Sequence, residues 1–156
     1  MMTPLEALIV VATALNGILG GFSFEIALVK LPTRRRIGAV AYATFARGSD
    51  LGNGIWVYPT TAIGATLLTF AATIVAYIES QPAAVLLPLS LAALTSIGHF
   101  LATSRAAPIM VRVSKTPADE TRLAALLDRF ARWHTIRAAL QLLTFLVLLW
   151  ALVAVR

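Results

Sequence analysis

The sequence predicts an all-α integral membrane protein, a four-helix bundle whose fourth helix carries an amphipathic extension on the basic side of the membrane. Three observations carry this. Hydrophobic residues make up 59% of the 156 residues and charged ones only 13%, about half the charged share of a soluble domain. Four stretches, 7 to 24, 51 to 78, 80 to 104 and 138 to 155, hold no charged side chain, and roughly 20 residues of helix cross the ~30 Å of bilayer hydrocarbon. The basic residues gather in two of the connections between those stretches.

Helix one is expected near 5 to 29. Thr3-Pro4-Leu5-Glu6 opens it with a capping box and a proline at the first helical position. No basic segment precedes it, and it leads into Lys30 and Arg34, Arg35 and Arg36, the pattern of an anchor rather than a cleaved signal. Ile37, Val40, Tyr42 and Phe45 predict a short interfacial helix over 37 to 47. Gly48, Gly52 and Gly54 then loosen the backbone around Asp50 and Asn53. Helices two and three are expected near 54 to 78 and 83 to 104. Thr116-Pro117-Ala118-Asp119 repeats the opening grammar of helix one and places a helix start near 117. Leu123, Leu126, Leu127 and Phe130 recur at helical spacing among Asp119, Arg122, Asp128 and Arg129. The fourth helix therefore covers 117 to 155 and spans from about 133. No linker separates two domains, so residues 1 to 156 read as one.

A net charge of +6 would suggest nucleic acid in a soluble protein, but its distribution assigns it elsewhere. Lys30, Arg34, Arg35, Arg36 and Arg47 fall between helices one and two; Arg105, Arg112, Lys115, Arg122, Arg129, Arg132 and Arg137 lie between three and four or at the start of four. The positive-inside rule puts both basic connections in the cytoplasm and both termini outside. The expected partners are membrane lipid and an apolar small molecule, with no nucleic acid. The absence of cysteine excludes disulfides, thiolate metal sites and a cysteine nucleophile.

Against this apolar background the polar residues stand out. His134, Arg137, Gln141 and Thr144 share one side of helix four; Thr95, His99 and Thr103 share one side of helix three. Asp50, Tyr58 and Thr61 occupy one sector of helix two, with Asn53 at its edge, while Gly17 and Gly21 give helix one a small-residue face that Glu25 continues. By helical rise Glu25 lies roughly 7 to 8 Å before Lys30, and His99 about 9 Å before Arg105. The ionisable groups thus sit at one depth, near the basic end. Intramembrane ionisable residues face the bundle interior and mark function. The catalytic candidates are His134, Arg137, His99, Glu25 and Asp50; the substrate-binding candidates are Asn53, Tyr58, Trp133 and Gln141. Glu25 with Arg137, and Asp50 with His134 or His99, are the expected pairs. A structural salt bridge is the plainer explanation for the first pair alone. Trp56, Trp133, Tyr58 and Tyr42 also fit an aromatic belt, and the triple arginine fits a topology signal. No Glu-x-x-His motif raises a metal site, and the glycine run lacks the ending of a phosphate loop.

Leu31-Pro32-Thr33-Arg34-Arg35-Arg36-Ile37-Gly38, Arg47-Gly48-Ser49-Asp50-Leu51-Gly52-Asn53-Gly54 and Phe130-Ala131-Arg132-Trp133-His134-Thr135-Ile136-Arg137, together with the four spans, resemble the small bacterial membrane proteins of the DUF1772, or anthrone oxygenase-like, group. In that group the last helix begins with a tryptophan, a polar residue and an arginine, which Trp133, His134 and Arg137 match; asparagine is common where this chain has His134. The resemblance implies a bacterial inner-membrane location and, from the characterised branch, oxidation of anthrones to anthraquinones without metal or flavin.

Three functional readings follow. The first is a bundle that binds an apolar, aromatic or quinone-like molecule near the cytoplasmic leaflet and oxidises it, with His134 or His99 as base and Arg137 as anion partner. The second is a redox protein with haem between His99 and His134, or with a divalent metal on Glu25, Asp50, His99 and His134. The third is a transporter or structural homo-oligomer packed through Gly17 and Gly21.

Overall fold

The computed structural model describes residues 2 to 156. Among them every regular element is helical. α1 (Pro4–Glu25) opens as expected: Glu6 N–H donates to the Thr3 hydroxyl at 3.1 Å, and Thr3 N–H donates to the Glu6 carboxylate at 2.6 Å. The helix does not stop near residue 29. A π-helical turn (Ile26–Lys30) carries it into α2 (Leu31–Ile37), so the arginine run is helical rather than loop. Gly38, at φ 88°, ends the rod, a conformation that favours glycine.

α3 (Ala39–Gly48) then begins. Its buried Ala39, Tyr42, Ala43 and Ala46 follow the i, i+3, i+4, i+7 spacing of one helix face. This face packs on Ile109, Val113, Leu123 and Leu127, so the expected short helix forms, starting at Ala39, and one side of it is docked on protein. Tyr42, 1% exposed, is core rather than belt. A second π turn (Ser49–Asn53), kinked at Gly52, joins α3 to α4 (Gly54–Ile78).

α5 (Ala83–Lys115) runs well past residue 104, because Ala106, Ile109, Met110 and Val113 bury their side chains at that end. α6 (Glu120–Ala154) starts later than the Thr-Pro pattern predicts. Asp119 is its cap, accepting from Arg122 N–H at 2.9 Å, whereas the Thr116 hydroxyl donates back to the Arg112 carbonyl and closes α5.

Four helical segments are long and apolar enough to cross a membrane, so the chain is a multi-pass membrane protein. The spanning helices pack in the cyclic order α1, α4, α5, α6. One apolar cluster fills the end away from the basic connections, around Leu5, Ile9, Leu89 and Leu148; a second fills the basic end. Polar bonds join each adjacent pair of helices. Asn16 Nδ2 donates to Thr69 Oγ1 at 3.1 Å, Thr73 Oγ1 to the Leu89 carbonyl at 3.1 Å, and the hydroxyls of Thr95 and Thr144 share a bond of 2.8 Å. His134 to Ser23 completes the ring at 3.0 Å.

Two basic residues hold the basic end together. Arg34 pairs with Asp128 at 2.6 Å, and Arg47 donates to the Thr116 carbonyl at 2.9 Å. The Glu120 carboxylate accepts the first N–H groups of α3, those of Ala39 and Val40, a cap supplied from another helix because Gly38 has no side chain to offer. This contact holds the Glu120 pKa below the ordinary glutamate range.

Candidate functional site

A cavity of about 310 Å³ lies between the spanning helices at the basic end, bordered by the turn that leads into α4. His99, Arg137, Gln141, Asp50 and Tyr58 line it. Their helices place them by register: Arg137 and Gln141 are one turn apart on α6, and His99 faces them from α5. The rest of the wall is apolar, with Leu19, Ile26, Ile63, Met110 and Phe130 among its side chains. Ile55 and Ile63 of α4, and Phe100 and Val111 of α5, both line the cavity and lie exposed on the outer surface. The mouth therefore opens sideways, between α4 and α5, toward lipid.

Arg137 is the central group. Its Nη2 donates to His134 Nδ1 at 2.6 Å, while its Nε is buried without a partner. The ion pairs among the described residues are Lys30–Glu25 at 3.2 Å and Arg34–Asp128 at 2.6 Å; neither includes Arg137. A guanidinium has only donors, so His134 Nδ1 must be the accepting nitrogen. The remaining nitrogen, Nε2, then carries the hydrogen and donates to the Ser23 carbonyl at 3.0 Å. Both ring nitrogens of this fully buried histidine are occupied. His134 positions Arg137 and does not face the cavity.

Glu25 does not reach Arg137, contrary to the expected pair. It meets Lys30 instead, five residues on, because the π turn's i to i+5 register brings those two side chains to one side. Asp50 bonds neither histidine; its carboxylate accepts from the Ser49 hydroxyl at 3.4 Å. Asn53 is exposed, and Trp133, 38% exposed, points outward with Trp56. Tyr58 belongs to the cavity, its ring edge-on to Phe22 at 5.8 Å. Gly17 packs on Phe145 within the chain, while Gly21 meets nothing. Helix approach thus uses the Gly17 face and the buried Gly20, and Gly21 stands outside it.

The roles of three contributors were not read from the pattern. Ser23 acts through its carbonyl, for which no side-chain signal exists. Asn16 was a readable signal, an amide deep in an apolar run. Gly54 is required sterically: a Cβ there would lie 2.7 Å from the Tyr58 ring and 2.9 Å from the Ser49 carbonyl.

Among the described residues no three His, Asp or Glu side chains converge as a metal would require. A haem shared by His99 and His134 would have to displace at least one of the two bonds that His134 makes. The site is a largely apolar chamber whose wall carries one cation, Arg137, one carboxylate, Asp50, and an imidazole, His99, whose ring forms no hydrogen bond among the described residues. No protein-family model, curated protein or solved structure matches this chain.

Proposed function

We propose that the protein is a bacterial inner-membrane protein, its basic end in the cytoplasm, that binds a lipid-soluble aromatic or quinone-like molecule in this cavity. One observation carries the reading: Arg137, cationic and in no ion pair, stands with Asp50 on the wall of an otherwise apolar chamber that opens to lipid. A part-buried cation with no ion-pair partner is costly, and a ligand with an electron-rich oxygen, such as a phenolate, enolate or quinone carbonyl, offsets that cost. The chamber's size falls in the range of small-molecule sites. The two basic connections support the orientation.

The test is binding to the protein in nanodiscs, with naphthol and naphthoate as oxygen-bearing probes and methylnaphthalene as the probe without oxygen. The oxygen-bearing probes bind more tightly, and Arg137→Gln removes the difference. Equal affinity of all three for wild type contradicts the reading.

The free ring of His99 on the same wall favours a catalytic extension, in which the chain is a divergent relative of the anthrone oxygenase-like group. His99 takes a proton from an activated CH2 of the bound substrate, and the resulting charge settles on the oxygen beside Arg137. Dioxygen accepts the electrons, so that CH2 and O2 become C=O and H2O. Oxygen uptake with anthrone reads this step: His99→Ala abolishes uptake while naphthoate still binds, and uptake unchanged in that variant removes His99 from the chemistry.

A further inference from the structure

Outside the cavity, three sets of basic residues differ in their surroundings. Arg34 and Arg47 are engaged with Asp128 and the Thr116 carbonyl. Arg35 and Arg36 are exposed singly. Arg112, Lys115, Arg122 and Arg129 converge on one groove of about 400 Å³ at the turn between α5 and α6, floored by Ala125 and Leu126 and lined by no acidic residue.

A topology signal needs basic residues on one side of the membrane; it does not need them to meet. These four line one groove, and none forms an ion pair among the described residues. On α6, positions 122, 125, 126 and 129 form one face, which adjoins at the part-buried Leu126 the face that α3 covers through Leu123, Leu127 and Glu120. Arg129 lies about 6 Å along the axis from Trp133, an aromatic residue of the kind that marks the interface, and this is within the headgroup layer. Four cations over an apolar floor match a phosphate with the first carbons of an acyl chain beside it.

We propose that this groove holds the phosphate of an anionic membrane lipid. Arg112 and Lys115 from α5, and Arg122 and Arg129 from α6, surround the phosphate oxygens, and Leu126 meets the adjoining hydrocarbon. The lipid thereby fastens the hairpin of the two longest helices at the membrane surface. This site is independent of the cavity and of what the cavity binds.

Native mass spectrometry of the detergent-purified full chain, titrated with phosphatidylglycerol or phosphatidylcholine, tests it. Wild type retains one phosphatidylglycerol in preference to phosphatidylcholine. The double variant Arg122→Gln/Arg129→Gln loses that retention by about tenfold or more, with unchanged helical content by circular dichroism. The control Arg35→Gln/Arg36→Gln, which removes the same charge from the same end, retains the lipid. Equal loss in both variants reduces the groove to diffuse surface charge and overturns the proposal. No preference between the two lipids, or displacement of the lipid by millimolar inorganic phosphate, overturns it as well, the latter by assigning the groove to a soluble anion.

Discussion

In the end of the bundle away from the basic connections, the inward positions Ile9, Ala12, Ala72, Ala76, Leu89, Ala92 and Leu148 are fully buried and pack into one apolar cluster. At the basic end the same helices part around about 310 Å³ and place Arg137, His99 and Asp50 on its wall. Both π turns, Ile26–Lys30 and Ser49–Asn53, belong to the second end. Each puts an extra residue into a helical turn and so rotates the faces beyond it. Small aliphatic residues in unbroken register close the bundle; interrupted register with large polar residues opens it. Packing in the first end supplies stability, and the second end spends some of it on a site.

Core truncation should separate the two ends most strongly. Leu148→Ala, in the closed end, destabilises the protein by about 3 kcal/mol, read by steric-trapping unfolding in bicelles. Ile63→Ala, which already borders the cavity and lipid, changes stability by less than about 1 kcal/mol. Comparable losses at both positions would mean that the basic end is packed as tightly as the other. Next in size is Arg137→Gln, which weakens naphthoate binding about thirtyfold or more, measured by equilibrium binding in nanodiscs.

His134→Ala acts on the same ligand through Arg137. It lowers naphthoate affinity about tenfold and leaves methylnaphthalene unaffected, and in a double-mutant cycle with Arg137→Gln the two effects do not add. Additive effects would detach His134 from the arginine. A smaller change comes from the polar ring: Thr144→Val removes the hydroxyl bond to Thr95 and costs about 0.6 kcal/mol in the same unfolding assay.

The smallest effect concerns pH. The folded pKa of Glu120 is lowered by the N–H groups of Ala39 and Val40, so its contribution is complete above the ordinary glutamate value and is lost as pH falls through the lower folded value. Hydrogen exchange at the Ala39 and Val40 amides should show protection decreasing over that acid interval. Glu120→Gln should remove the pH dependence; the same profile in the variant would assign it to another group.

Much of the fold was legible because length and the absence of charge suffice to mark a membrane helix. The capping box at Thr3 and the α4 boundaries at Gly54 and Ile78 also followed from local chemistry. The helix ends at the basic side did not. Arg34 looks like a loop residue until Asp128, distant in sequence, is seen to pair with it, and α5 continues past Arg105 and Pro108 because α3 docks there. In the site, the sectors of α5 and α6 brought His99, Arg137 and Gln141 together as their spacing implied. Glu25 failed because a π turn is invisible to a 3.6-residue periodicity, and it is this turn that aligns Glu25 with Lys30. The role of His134 as the support behind Arg137 depends on a backbone carbonyl that no sequence pattern displays.

Solid-state NMR on the protein in lipid, with carboxyl-13C naphthoate and 15N-labelled arginine, measures the contact on which the account rests. A carboxyl carbon about 4 Å or less from a guanidinium nitrogen, with the signal lost in Arg137→Gln, is the predicted result. A bound probe whose carboxylate contacts only the surface arginines, with the Arg137 resonances unmoved, would contradict it.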